Sequence, residues 1–326
     1  IRNIAFVGSL GHGKTELIDC LVTETHPKIL EKMIIGKDVT NQILGEGRRI
    51  DSLRWTDRLF LEKRREISIS TEVMSLVHET TNGEMVALNL IDTPGHPDFM
   101  DQVEVGLSMA DGIVFCIDVI EGLTKVATRL LIRCIGTGLP IILCLTKIDR
   151  LILELKVPPD FAYLKMNYII DEFNTCLRQN QYPNRISPEE YNVVFTSARF
   201  MLCFTLESIG LMYGSKNPDI VCDINDDPRA RSQDQFKIIH RPSASDISSR
   251  LWGDFRISED RTEIFSSSSN ERDHPFVKFV LDPIYKVFTH VLSCEPIDWS
   301  KKLHVELSPS EKRLNTVPLL RIALSR

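Results

Sequence analysis

The segment Gly8-Ser9-Leu10-Gly11-His12-Gly13-Lys14-Thr15 constrains this chain more than any other. It fits the pattern G-x-x-x-x-G-K-[ST] and stands between an apolar run, Ile4 to Val7, and a helical pattern, Thr15 to Val22. A strand that breaks into a glycine-rich turn and restarts as a helix aims successive backbone N–H groups at one spot. The helix N-terminus adds partial positive charge behind them. Such a loop cradles phosphate oxygens, with Lys14 reaching the β- and γ-phosphates and the Thr15 hydroxyl a ligand for Mg²⁺.

Four further short runs are rich in β-branched residues and end in polar or Gly-rich sequence. They are Val86 to Ile91, Ile113 to Ile117, Ile141 to Leu145 and Val193 to Phe195. Near-continuous apolar strands suit a sheet buried on both faces. Helical patterns at Thr124 to Ile135 and Phe161 to Leu177 lie between them, the second after the Pro158-Pro159 stop. Strands alternating with helices predict an α/β fold, the doubly wound, mostly parallel sheet of a P-loop NTPase. Ligands then sit beyond the carboxyl ends of the strands. Residues 1–202 are expected to form the core. Residues 203–275, polar and acidic with a serine run, read as an inserted subdomain with mobile loops. Residues 276–326 open with an amphipathic helix, Phe276 to Leu292, and are expected to complete the core domain.

The loops after the other runs carry chemistry of their own. Asp92-Thr93-Pro94-Gly95-His96 ends the second run; Asp92 is placed to hold a Mg²⁺ shell, and Gly95 to offer its N–H to a γ-phosphate because no side chain blocks approach. Thr146-Lys147-Ile148-Asp149 ends the fourth. The Asp149 carboxylate accepts two N–H bonds from guanine, a pair that adenine lacks, and the Lys147 stem lies across the ring face. Thr146 stands where such loops usually carry Asn, so it keeps a hydroxyl and loses the amide that braces the phosphate loop. Ser197-Ala198-Arg199 follows the fifth run and, by its order in the chain rather than by the dipeptide itself, matches a guanine loop whose backbone N–H meets O6. The four motifs, in this order, predict GTP or GDP and Mg²⁺ as ligands.

Composition sets limits on partners. The chain has 39 basic and 45 acidic side chains, net −6, which argues against nucleic-acid binding by bulk charge alone and leaves a local basic patch open. No apolar run approaches the roughly 18 residues of a membrane span, so no membrane partner is expected. The 8 cysteines include no Cys-x-x-Cys pair, and several lie in apolar runs, a pattern of reduced thiols. The 8 histidines form no His-Glu-x-x-His zinc pattern.

Gly11-His12-Gly13-Lys14-Thr15, Asp92-Thr-Pro-Gly-His96 and Glu121-Gly122 resemble the translational GTPases. Within that family the sequence is most similar to elongation factor 2 and to the elongation-factor-2-like GTPases of the U5 small nuclear ribonucleoprotein. Asp149-Arg-Leu-Ile-Leu-Glu-Leu-Lys-Val-Pro-Pro-Asp-Phe-Ala-Tyr163, Cys203-Phe-Thr-Leu206 and Pro318-Leu-Leu-Arg321 favour the spliceosomal branch. Arg250-Leu-Trp-Gly-Asp254 and Asp282-Pro-Ile-Tyr-Lys286 are shared more broadly. The resemblance implies a GTPase domain with further domains past Arg326. It implies a nuclear role in pre-mRNA splicing, as a hydrolysing switch or as a GTP-binding structural module; a ribosomal translocase is the runner-up. Its partners would be the large scaffold protein and the RNA helicase of the U5 particle, with the U5 RNA met indirectly. It also makes His96 the residue that orients the attacking water. Leu10 and Ile67 resemble an apolar pair gating that histidine, though two aliphatic residues serve equally in a core. Arg65-Glu66-Ile67-Ser68 becomes switch I, with Ser68 offering a hydroxyl to Mg²⁺. The family usually has Gly at the position of Glu66 and often Thr at that of Ser68. The basic stretch from Arg48 to Arg65 is either a partner contact or a solvated helix face, and His12 has no assigned chemistry.

Overall fold

The computed structural model describes residues 1–25, 54–80, 83–216, 221–222, 244–257, 263–266, 274–303, 305, 307–309 and 311–325. Arg48 and Arg49 of the basic stretch, most of the acidic stretch from 217 to 243 and Ser267 to Ser269 lie outside them. In chain order come β1 (Arg2–Val7), α1 (Lys14–Thr25), α2 (Phe60–Arg65), β2 (Glu72–Glu79), β3 (Met85–Asp92), α3 (Met100–Met109) and β4 (Gly112–Asp118). Then follow α4 (Lys125–Gly136), β5 (Ile141–Thr146), α5 (Asp149–Leu153), α6 (Pro159–Gln179), β6 (Val193–Ser197) and β7 (Leu202–Phe204). Each apolar run of the sequence is a strand, and each helical pattern between them is a helix.

The sheet runs in the order β2-β3-β1-β4-β5-β6-β7. β1 pairs parallel with β3 on one side and β4 on the other, and β4 pairs parallel with β5. The chain therefore leaves β1 toward one edge and later returns to its other side. This puts the Gly8–Thr15 loop at the topological switch point, where an open α/β sheet leaves a crevice. Register levels the strand ends: Phe6 lies opposite Asp92, and Asp118 opposite Thr146. β2 is antiparallel to β3 and carries a mixed polar and apolar sequence. An edge strand covered on one side needs no continuous apolar run, which is why the sequence pattern passes over it.

The described residues fall into two compact units. One comprises residues 1–148, 171–185 and 196–201, the other residues 149–170, 186–195 and 202–326. The first is built on Phe6, Ile91, Ile113, Phe115, Ile117, Leu131 and Leu143, all buried. Phe115 meets Phe173 edge to face, ring centres 5.5 Å apart. Thr124 starts α4 by accepting the Ala127 N–H, and Gly138 closes it with φ of 70°.

The second unit has an aromatic core of Tyr163, Phe195, Phe204, Trp252 and Phe276. His274 stacks on Tyr163 at 3.9 Å, its Nε2–H donating to the Gly253 carbonyl and its Nδ1 accepting the Phe276 N–H. One neutral tautomer satisfies both bonds, so this histidine is structural. α7 (Leu206–Lys216) and α8 (Ala244–Arg250) approach at Gly210, where a Cβ would stand 2.4 Å from the Ala244 carbonyl oxygen. β8 (Val221–Cys222), β9 (Phe255–Ile257) and β10 (Glu263–Ser266) form a small sheet in the order β8-β10-β9. The expected helix after residue 276 opens as a π-helical turn, Val277–Leu281, and continues as α9 (Asp282–Ser293), followed by α10 (Pro296–Lys302) and α11 (Thr316–Ser325).

Phe115 has no exposed surface. Phe115→Ala is expected to lower stability by about 3–5 kcal/mol, read as a lower urea midpoint at unchanged slope.

Candidate functional site

The phosphate loop begins where the pairing of β1 with β4 ends, at Val7 opposite Phe115. Gly8 packs so closely on β4 that a Cβ there would lie 2.5 Å from the Cys116 carbonyl oxygen. Gly11 and Gly13 hold left-handed φ of 77° and 78°, which turns the loop before α1. Gly95 lies directly over the loop: a Cβ on it would stand 2.5 Å from Lys14 Nζ and 2.6 Å from the Leu10 nitrogen. Lys14 is buried, and its ammonium donates to the Gly8 and Ser9 carbonyls at 2.9 and 3.1 Å. Burial pulls its pKa below the usual lysine range, against the opposing pull of Asp92.

His12, without assigned chemistry in the sequence, is a bolt. Its ring is fully buried, with Nδ1 3.1 Å from the Cys116 carbonyl oxygen and Nε2 3.3 Å from a Glu121 carboxylate oxygen. Its own carbonyl accepts the Thr146 hydroxyl at 2.8 Å. Thr146 thus braces the phosphate loop through its hydroxyl, without the amide expected for the task. Ser9 Oγ lies 3.4 Å from Thr124 Oγ1, at the cap of α4.

A second cluster forms where α1, β3 and the segment before β2 meet. Thr15 Oγ1 donates to Asp92 Oδ2 at 2.8 Å, and Thr56 Oγ1 donates to the same oxygen at 2.7 Å. Ser68 Oγ donates to Asp57 Oδ1 at 2.8 Å. Thr15 and Ser68 each have a single hydroxyl proton and a carboxylate acceptor beside it. Their oxygens face each other at 3.2 Å. Either hydroxyl can donate to the other, and both oxygens keep lone pairs that a cation could use. Adjacent ligands on an octahedral Mg²⁺ with bonds near 2.1 Å stand about 3 Å apart. Asp92 Oδ1 is buried without a hydrogen-bond partner, and burial raises the Asp92 pKa. The donor set fits Mg²⁺. Among the described residues no group of three or more His, Cys, Asp or Glu could hold a metal ion.

The base loops stand along the same edge. Lys147 takes a left-handed φ of 59°, donates to the Gly11 carbonyl and lies 3.5 Å from the buried Asp118 carboxylate. The Ile148 N–H donates to the Thr196 carbonyl at 3.2 Å, which joins this loop to the one that carries Ser197. The Cys20 thiol of α1 donates to the Ala198 carbonyl at 3.1 Å. Ser197 is buried, and the Arg199 guanidinium lies 5.7 Å from the centre of the Phe200 ring. Asp149 is buried at the first position of α5.

Residues 1–241 match the family model of the elongation factor Tu GTP-binding domain. The chain belongs to this family. It is 35% identical to the pre-mRNA-splicing factor cwf10 of Schizosaccharomyces pombe, over 99% of this chain and 30% of that protein. It is 33% identical to the 109 kDa U5 small nuclear ribonucleoprotein component GFL of Arabidopsis thaliana, over 100% of this chain and 31% of that one. Against the pre-mRNA-splicing factor SNU114 of Saccharomyces cerevisiae it is 32% identical, over 90% and 26% respectively. The chain thus spans under a third of the length of these relatives.

For a GTP-binding domain of the elongation factor Tu family, the segment before β2 is the part that motif reading resolves least. Thr56, Asp57 and Glu62 are buried there and went unread. Their burial depends on where the segment folds back, so no local sequence signal marks them. Glu66 ends α2 with φ of 55° and ψ of 36°. This left-handed turn accounts for the usual glycine, and a non-glycine residue there costs about 1 kcal/mol. His96 caps the 3₁₀ turn Pro97–Phe99, its Nδ1 accepting the Asp98 N–H at 3.2 Å. The neutral ring then carries its proton on Nε2 and presents a donor.

Asp19, one turn into α1, accepts the Trp55 N–H at 3.0 Å. Burial raises its pKa to about 7, against the opposing pull of that N–H. A carboxyl whose folded pKa is raised binds a proton more readily in the folded state. Ionisation therefore costs stability, and the cost grows from pH 4 upward and is complete above pH 7. Asp19→Asn keeps an acceptor for Trp55 and abolishes the charge. The melting temperature of Asp19→Asn minus that of the parent is expected to rise from pH 5 to pH 8. A difference that stays flat across that range would remove Asp19 from this account.

Proposed function

We propose that this chain is the Mg·GTP-binding switch domain of a U5 small nuclear ribonucleoprotein GTPase acting in pre-mRNA splicing in the nucleus. The observation that carries the chemistry is the convergence of Thr15, Ser68 and Asp92 beside the Lys14 loop, with facing hydroxyl oxygens and one bare carboxylate oxygen. The splicing assignment is supported by relatives named as splicing factors and U5 components along nearly the whole chain. The large scaffold protein and the RNA helicase of that particle are the proposed partners.

In this reading the N–H groups of Gly11 to Thr15 and the Lys14 ammonium hold the β- and γ-phosphates, with Lys14 exchanging its carbonyl partners for phosphate oxygens. Ser9, Leu10 and Gly8 shape the turn, and Gly95 offers its N–H to the γ-phosphate. Thr15, Ser68 and Asp92 would hold the Mg²⁺, which supplies charge neutralisation on the phosphates. Asp149 reads the guanine edge, Lys147 covers the ring, Ala198 meets O6, and Ser197 and Arg199 support that loop. His96, presenting Nε2–H, orients the water rather than removing its proton. A second reading, a GTP-binding structural module with little turnover, is favoured by Glu66, whose left-handed conformation opposes closure of switch I.

Base choice tests the site. Asp149→Asn removes two charged hydrogen bonds and is expected to weaken GTP by about 100-fold or more while gaining xanthosine triphosphate. Competition in which the variant still prefers GTP would overturn the guanine assignment.

Turnover separates the two readings. His96→Ala is expected to leave GTP affinity within about twofold and to cut single-turnover hydrolysis by about 10²-fold or more in the assembled particle. Equal rates above background would strip His96 of its role. A parent that holds GTP without hydrolysing it would establish the structural module.

A further inference from the structure

α2 is a six-residue helix whose surface is almost all solvent-facing; Phe60, Lys63, Arg64 and Arg65 are exposed. Glu62, in the same helix, is 1% exposed. A carboxylate kept from water in so short a helix must be held by hydrogen bonds. Four donors hold it. Oε2 accepts the Leu59 N–H at 2.9 Å. Oε1 accepts the Ile69 N–H at 2.9 Å, the Ser70 N–H at 3.1 Å and the Ser70 hydroxyl at 3.3 Å.

The first bond alone would be an ordinary helix cap, a glutamate at the third position reaching back to the residue before the helix. The other three have no part in capping. They come from beyond the helix, from the two residues that follow Ser68. Glu62 therefore closes the segment from Leu59 to Ser70 on itself, with Ser68 just inside the closure. Burial pushes the Glu62 pKa up, but the Ile69, Leu59 and Ser70 N–H groups outweigh it and hold the carboxyl below its usual range. The bonds are thus to an ionised group, the stronger kind.

We propose that Glu62 is the positioning residue of switch I: through the Ile69 and Ser70 amides it holds Ser68 beside Thr15, so that the domain favours Mg·GTP over GDP. This rests on the nucleotide site proposed above. Selectivity follows from which contacts the two nucleotides share. The Lys14 loop and the base loops serve both. Ser68 contributes only through the metal held with the triphosphate, so loosening Ser68 penalises GTP alone.

The test uses the full-length protein with Glu62→Ala and the nearly isosteric Glu62→Gln, which puts an NH₂ against one arm of donors. Hydrogen exchange without nucleotide reads the brace itself. Exchange at Ile69 and Ser70 is expected to accelerate about tenfold or more in Glu62→Ala and to a lesser degree in Glu62→Gln. Titration with fluorescent GDP, and with a non-hydrolysable GTP analogue plus Mg²⁺, reads the coupling. Affinity for GDP is expected to stay within about twofold and that for the analogue to fall about tenfold. Unchanged exchange would overturn the brace. Equal loss of both nucleotides in variants that melt like the parent would overturn the selectivity, as would equal retention of both. If Glu62→Ala melts early, Glu62→Gln decides by the same readings. A parent that binds neither nucleotide overturns the nucleotide site and the selectivity with it; accelerated exchange in the variants would then leave Glu62 as a structural brace only.

Discussion

One carboxylate ties the site together, and it does so unevenly. Asp92 gives one oxygen to two hydroxyls, Thr15 from the phosphate loop and Thr56 from the segment before β2, and leaves the other bare in a buried place. A buried acceptor without a donor costs about 1–3 kcal/mol. That oxygen is the acceptor which the cation of the proposed Mg·GTP site would meet. The two hydroxyls also cannot move independently, because they share an oxygen. The phosphate loop, strand β3 and the segment before β2 are thereby coupled through one atom.

Much of this was legible from residues alone. The Gly8–Thr15 pattern, the Asp92 and Thr146 loops and the five apolar runs placed the strands, and the sheet edge followed from the α/β rule. Motifs of this kind work because phosphate and guanine demand fixed residue types at fixed spacing. β2 escaped because an edge strand covered on one side obeys no strict apolar pattern. Glu62 and Asp57 escaped because burial of a charged side chain depends on where its segment folds back, which local sequence does not encode. His12 was noticed without a role, since its partners, Cys116 and Glu121, lie on another strand and loop.

The departures from family habit have distinct physical weights. Thr146 costs little, because its hydroxyl reaches the His12 carbonyl and restores the brace by another atom. Glu66 costs more, because its side chain is exposed while its backbone is left-handed. Ser68 lies between these. It makes the bond to Asp57 that a threonine would also make, with one methyl fewer to fix its rotamer.

The register of β2 bounds how far Ser68 can travel. Glu72 pairs with Asp92, at the start of an antiparallel ladder that continues to Glu79 opposite Met85. Ser68 is tethered to that ladder by only four residues. A fully extended chain covers at most about 3.5 Å per residue, so the Ser68 hydroxyl swings through a radius of roughly 14 Å while the ladder stays intact. Any displacement of Ser68 is thus a short-leash motion about a fixed anchor, and that anchor stands level with the Asp92 carboxylate.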